Sequence, residues 1–155
     1  MKSYFSIRED LLAAIICQSA ENSGVKECGG ILIGERRGPH IAITEITLPG
    51  TNDQSGFARF IRVDPSHQAS AMKAWVASNE TQSYVGEWHT HPVGKAMPSS
   101  VDKATWEAAA KQTGTPLLFI IATPSEIGVY RGEMISRKSS QKFKLNSIEL
   151  MPVKC

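Results

Sequence analysis

Cysteine is scarce in this chain: Cys17, Cys28 and Cys155 are odd in number and no two are spaced as CxxC. No disulfide framework follows, Cys155 reads as a free thiol, and a reducing cytoplasm is the expected compartment. Long apolar runs are also missing. The longest, residues 11–17 and 116–122, fall far short of the ~18–20 residues that span a bilayer. Residues 1–10 are polar and charged with no apolar region behind a basic one, so no secretory leader and no membrane association are expected. Neither sign of charge dominates: 17 basic against 15 acidic side chains leave +2, too close to balance for electrostatics to point to nucleic acid or membrane. Internal repeats and low-complexity segments are absent. What remains is ordinary globular material, 41% hydrophobic and 21% charged over 155 residues, which argues against disorder, collagen and coiled coil. A chain of this size buries roughly 68–70% of its unfolded surface and builds one core unaided.

The patterning interleaves helices and strands. Ser6 and Glu9 have the spacing of a capping box ahead of Leu11, Leu12, Ile15, Ile16 and Ala20, an apolar stripe at helical period that ends at Asn22-Ser-Gly24. Residues 29–34 (GGILIG) read as a short buried strand, 35–39 as a turn and 40–48 as its alternating partner. Residues 57–63 form a third expected strand with Phe57, Arg59, Ile61 and Val63 on one face. Asp64-Pro65 then opens a helix to about Ser78, with Ala71, Met72, Trp75 and Val76 facing inward. A strand over 83–88 ends at His89. After a loop at 92–98 come a helix from Ser99 to Gln112, strands at 117–123 and 127–132, and a last polar strand or two within 137–150. Connections of hairpin length favour a mixed sheet over a parallel one, so the fold class is α/β in one domain. Arg131, Arg137, Lys138, Lys142, Lys144 and Lys154 make the C-terminal part mildly basic. This reads as a solvated strand face, with an acidic or nucleic-acid partner as the second reading.

One segment carries chemistry. His89 and His91 are two apart at the end of a strand, so both imidazoles point the same way, as two ligands of one metal ion must. Pro92, Gly94 and Pro98 break the chain into a loop, Ser99 opens a helix, and Asp102 falls in its first turn. Such a loop is long enough to fold back and bring the carboxylate to the same ion. Two imidazoles and one carboxylate leave a tetrahedral zinc one open position, the mark of a catalytic site. Each part has an ordinary explanation: His-x-His as a surface pair, Ser99 and Asp102 as a capping box. In order and at this spacing they are stronger together.

His89-Thr-His91, seven residues, Ser99, two residues and Asp102 resemble the His-x-His-x7-Ser-x2-Asp signature of the JAMM (JAB/MPN) zinc metalloproteases, which include ubiquitin isopeptidases. Glu27-Cys28 ahead of the Gly29–Gly34 strand is similar to that family's upstream glutamate and glycine-flanked strand. The likeness covers roughly residues 5–135 of a single JAB/MPN domain spanning 1–155, with a polar strand region at 137–155. It implies a cytidine-deaminase-like mixed β-sheet flanked by helices. It also implies that His89, His91 and Asp102 bind Zn²⁺, that Glu27 is general base and then acid, and that Ser99 stabilises the oxyanion. The reaction implied is amide or isopeptide hydrolysis without a covalent intermediate. From the residues alone Glu87 rivals Glu27, sharing strand parity with the histidines, and Cys28 beside Glu27 raises a Cys–His nucleophile as a weaker alternative. A zinc deaminase would need His-x-Glu and a distant Pro-Cys-x-x-Cys, which are absent. His40 and His67 read as solvated surface side chains.

The short chain, the 57–64 segment (FARFIRVD) and the HTHP core look similar to the small bacterial deconjugating peptidases of anti-phage CD-NTase (CBASS) operons. The substrate implied is a protein whose extended C-terminal tail is attached to a target by ubiquitin-like conjugation. That tail would add as a strand to a sheet edge beside the metal, where Gly29 and Gly30 would permit its close approach. The alternatives are a peptidase trimming a ubiquitin-like or sulfur-carrier protein and a non-catalytic MPN scaffold.

Overall fold

Residues alternating in hydrophobicity along short runs, joined by glycine- and proline-rich turns, assemble into one curled mixed sheet in the computed structural model, which describes residues 2–154. Cys155 lies outside the described residues. In chain order the elements are β1 (Phe5–Arg8), α1 (Glu9–Glu21), β2 (Gly29–Arg37), β3 (His40–Ile46), β4 (Gln54–Gly56), β5 (Arg59–Ile61), α2 (Ser66–Ala77), β6 (Gln82–Thr90), α3 (Ser100–Thr113), β7 (Leu117–Ala122), β8 (Ile127–Arg137), β9 (Ser140–Ser147) and β10 (Met151–Val153). The main sheet runs β10-β1-β3-β2-β6-β7-β8-β9, and β4 and β5 form a separate hairpin. β1 is parallel to β3 and β10 and β6 is parallel to β7; the remaining neighbours in the main sheet are antiparallel. The α/β class and mixed sheet read from the sequence are therefore found. No helix among the described residues is long and apolar enough to cross a membrane.

Strand parity divides the core. Leu118 and Ile120 of β7 join Ile7, Ile15, Leu32, Ile43, Val85 and Trp88 on the face that α1 covers. Leu117, Phe119 and Ile121 point the other way, against Trp106 of α3. Ile31 and Ile33 meet Ala71 and Ala74 of α2. Because helices cover both its faces, β7 is apolar along its whole length, as a central strand with a parallel neighbour is expected to be.

Several local expectations are overturned. Ser6 is not a cap: it lies inside β1, bonded into the sheet between Ala42 and Met151, and α1 begins without a side-chain cap, with Glu9 and Asp10 in its first turn. The buried line of α1 runs through Ile15 and Ser19, whereas Ile16 is 48% exposed and Ala20 faces water. The expected strand over 57–63 is instead the short β4–β5 hairpin, and Phe57 and Val63 are exposed. Met72, Trp75 and Val76 face outward on α2, which docks through alanines and His67. His67 is buried, not solvated; His40 is half-buried and accepts the Tyr4 N–H.

Gly86 shows how tightly β6 and β7 meet. Its φ is +151° and an added Cβ would lie 1.7 Å from the Leu118 carbonyl oxygen. Gly86→Ala is therefore expected to lower unfolding stability by about 3 kcal/mol or more, read from the urea midpoint.

Candidate metal centre

The strand that carries the histidines is held on both sides, between β2 and β7. β6 ends at Thr90, yet the His91 N–H still donates to the Ala122 carbonyl, so the extended geometry and its side-chain alternation run one residue further. His89 and His91 therefore face the same way, with Nε2 atoms 3.1 Å apart. His91 Nδ1–H donates to the Lys95 carbonyl at 3.1 Å, which leaves its Nε2 lone pair pointing into the site. His89 leans on Trp106, which stacks on Phe119 with ring centroids 4.4 Å apart.

The loop after Pro92 is anchored at its middle: Ala96 N–H donates to Glu126 and the Ala96 carbonyl accepts from the Tyr130 hydroxyl. Ser99 then caps α3 through a reciprocal box, its Oγ accepting the Asp102 N–H at 3.0 Å and its N–H donating to Asp102 Oδ2 at 2.9 Å. The capping box is present, and the same carboxylate also faces the imidazoles. Asp102 Oδ2 is 3.3 Å from His91 Nε2 and Oδ1 is 3.4 Å from His89 Nε2. These three residues are the one group among the described residues whose donor atoms converge as metal ligands would. Bonds of ~2.0–2.1 Å in tetrahedral array put ligand atoms ~3.3 Å apart, so the donor set suits zinc in both type and spacing.

Charge favours a cation here. Burial alone would raise the Asp102 carboxyl, but the two imidazoles beside it and the Ser99 N–H hold it far below the usual carboxylate range. Asp102 in turn raises His91. Glu27 comes from the turn before β2, its N–H donating to the Gly56 carbonyl at 2.8 Å, and its Oε1 lies 4.0 Å from His91 Nε2. Burial pushes the Glu27 carboxyl up, against the pull of both histidines.

The rivals are placed elsewhere. Glu87 is held by Arg62 Nη1 at 2.6 Å and the Tyr84 hydroxyl at 3.0 Å, in the wall of the groove. Cys28 points into the core, 1% exposed, with its thiol pushed up by burial, the opposite of a reactive thiolate. Gly30 lines the groove beside the centre, and both glycines are also required by the chain's own packing. A Cβ on Gly29 would meet the Trp88 carbonyl, and one on Gly30 the Thr47 carbonyl, at 2.3 and 2.1 Å, so the chain's own backbone fills that space.

A groove of about 530 Å³ opens beside the centre. Glu27, His89, Ser99 and Asp102 line its polar end, Trp88, Val101 and Trp106 its apolar side, and residues 58–62 its outer wall. Sequence reading missed the part of Arg62 and Trp106, which meet the site only through tertiary contacts.

The family model of prokaryotic homologs of the JAB domain matches residues 9–136. A curated Vibrio cholerae protein named CD-NTase/cGAS isopeptidase is 38% identical over 95 residues, 61% of either chain. A Pseudomonas aeruginosa protein of the same name is 36% identical over 97 residues, again 61% of either chain. An Escherichia coli one is 37% identical over 103 residues, 66% of this chain and 65% of that one. The matched part thus spans about 61–65% of these relatives' length. The solution structure of a Desulfitobacterium hafniense protein superposes with a TM-score of 0.66 at 18% identity, covering 97% of this chain and 93% of that one, and so shares the fold.

Proposed function

Because the chain belongs to the family of prokaryotic homologs of the JAB domain, we propose that it is a zinc-dependent isopeptidase that releases a CD-NTase from the protein to which its C-terminus is conjugated. The observation that carries this reading is the convergence of His89, His91 and Asp102 within hydrogen-bond distance of one another, with Glu27 at their edge. The names of the relatives supply the substrate class.

His89 and His91 through Nε2, and Asp102 through its carboxylate, would hold the ion. Bound there, zinc supplies Lewis acidity and brings the pKa of a coordinated water from 15.7 toward ~7. Glu27 takes the proton of the attacking water and delivers it to the leaving amine. Burial raises its pKa, which makes the carboxylate a stronger base for the water and keeps the acquired proton on it until the amine leaves. The Ser99 hydroxyl oxygen is engaged by the Asp102 N–H, which leaves its O–H proton to donate to the oxyanion. β5 pairs only with β4 and borders the groove, so the sheet edge offered to an extended tail is that of residues 59–61.

Ser99→Ala is expected to keep zinc and lose about 10²–10³-fold in kcat, the usual effect of removing one oxyanion donor. The lost cap costs about 1 kcal/mol in thermal or urea unfolding. The function itself is tested by incubating the protein with a branched conjugate, a CD-NTase C-terminus amide-linked to a lysine, and with a linear fusion, and mapping products by mass spectrometry. Cleavage of the branched amide is the expected result. Cleavage of the linear fusion alone would favour the trimming role, and a protein that takes up no zinc when it is supplied and cleaves neither substrate would favour the scaffold.

A further inference from the structure

Beneath the outer wall of the groove lies a polar cluster the metal centre does not use. The side chains of His67 and Asp53 are 3% and 1% exposed, and His67 Nε2 is 2.6 Å from Asp53 Oδ2. His67 Nδ1 is 2.5 Å from Thr47 Oγ1. Asp53 also gathers the backbone: Oδ2 accepts the Gly50 N–H, and Oδ1 accepts those of Val63 and Asp64, each at 2.8 Å. One carboxylate thus ties both ends of the 50–64 loop together.

Burial alone would raise the Asp53 carboxyl, but the three N–H donors and the imidazole outweigh it and hold it below its ordinary value, so it is ionised. Asp53 Oδ2 accordingly accepts from His67 Nε2–H, and His67 Nδ1 is hydrogen-bonded to the Thr47 hydroxyl. The Thr47 oxygen accepts the Ile31 N–H at 2.9 Å, so each member of the chain is satisfied.

The cluster reaches the candidate site by two routes. Thr47 exchanges hydrogen bonds with Ile31, four residues past Glu27, and its carbonyl accepts from Trp88 Nε1 at 2.9 Å, next to His89. The loop closed by Asp53 carries β4 and β5, whose Gly56 carbonyl accepts the Glu27 N–H and whose Phe60 ring lies over Gly29. The large apolar side chains of α2 face water, so His67 is its main buried anchor at that end.

We propose that Asp53, His67 and Thr47 form a positioning relay that locks the 50–64 loop and, through Gly56, sets the place of Glu27 and of the groove wall. Its effect on turnover rests on the hydrolase reading; its effect on the loop does not. The test uses the full zinc-loaded chain and three variants, Thr47→Val, His67→Gln and Thr47→Ser, each well below its unfolding temperature. Thr47→Val and His67→Gln should speed amide exchange at Glu27 and across 50–64 by about tenfold, leaving β7 and α3 unchanged and zinc in place. They should lower kcat by about tenfold or more with a smaller change in KM, as misplacement of a catalytic group does. Thr47→Ser retains the hydroxyl and should restore wild-type values. Unchanged exchange at Glu27, faster exchange with wild-type turnover, or a Thr47→Ser variant as impaired as Thr47→Val would each overturn the proposal. If Thr47→Val does not fold, His67→Gln supplies the comparison. A wild-type protein inactive on every conjugate would sink the hydrolase reading alone, and the exchange data would still decide the relay.

Discussion

Glu27→Gln is expected to leave zinc bound and to reduce isopeptide hydrolysis by about 10²–10⁴-fold, the range a positioned general base contributes. Glutamine has the same shape and preserves the N–H bond to the Gly56 carbonyl, so the loop stays in place. What it loses is the ability to take a proton at an oxygen 4.0 Å from His91 Nε2. Metal content measured alongside kcat separates this loss from disruption of the site. Full activity in Glu27→Gln would move the base role to Glu87, whose carboxylate is already engaged by Arg62 and Tyr84.

Asp102→Ala is expected to have the other large effect, loss of the metal itself. Removing an outer hydrogen-bond partner of a ligand typically costs ~10–100-fold in metal affinity, and removing a ligand should cost more. Asp102 has a second task, since its carboxylate accepts the Ser99 N–H at the start of α3. Asp102→Asn separates the two: it keeps an acceptor for that N–H and so should retain helix stability, while as a neutral ligand it should still bind zinc weakly. Metal analysis and urea unfolding of both variants check this. A zinc-replete, active Asp102→Ala protein would show that the carboxylate is only a cap.

The metal set was legible because it is local. Strand parity aligns His89 with His91, and three chain-breakers followed by a helix start return Asp102 to them, all within a short stretch of sequence. Glu27 was legible only through its place before the glycine-flanked strand, because its nearness to His91 depends on β2 pairing with β6, with Gly29 opposite His89. The same non-local pairing overrode local signals elsewhere. Ser6 has cap chemistry, but β1 fills a gap between β3 and β10 and takes it into the sheet. Trp75 and Met72 have core chemistry, yet α2 approaches β2 so closely that alanines make the contact. Asp53 and His67 carry no pattern that distinguishes a buried pair from two surface residues; only the closed loop between them does.

Stripping the protein with a chelator and titrating zinc back while following cleavage of a branched conjugate joins metal to chemistry in one experiment. Hydrolysis should vanish on stripping, return in proportion to added zinc and level off at about one ion per chain, with alkylation of Cys17 and Cys28 making no difference. Turnover that survives complete removal of metal, or that thiol alkylation alone abolishes, would contradict a hydrolase centre built on His89, His91 and Asp102.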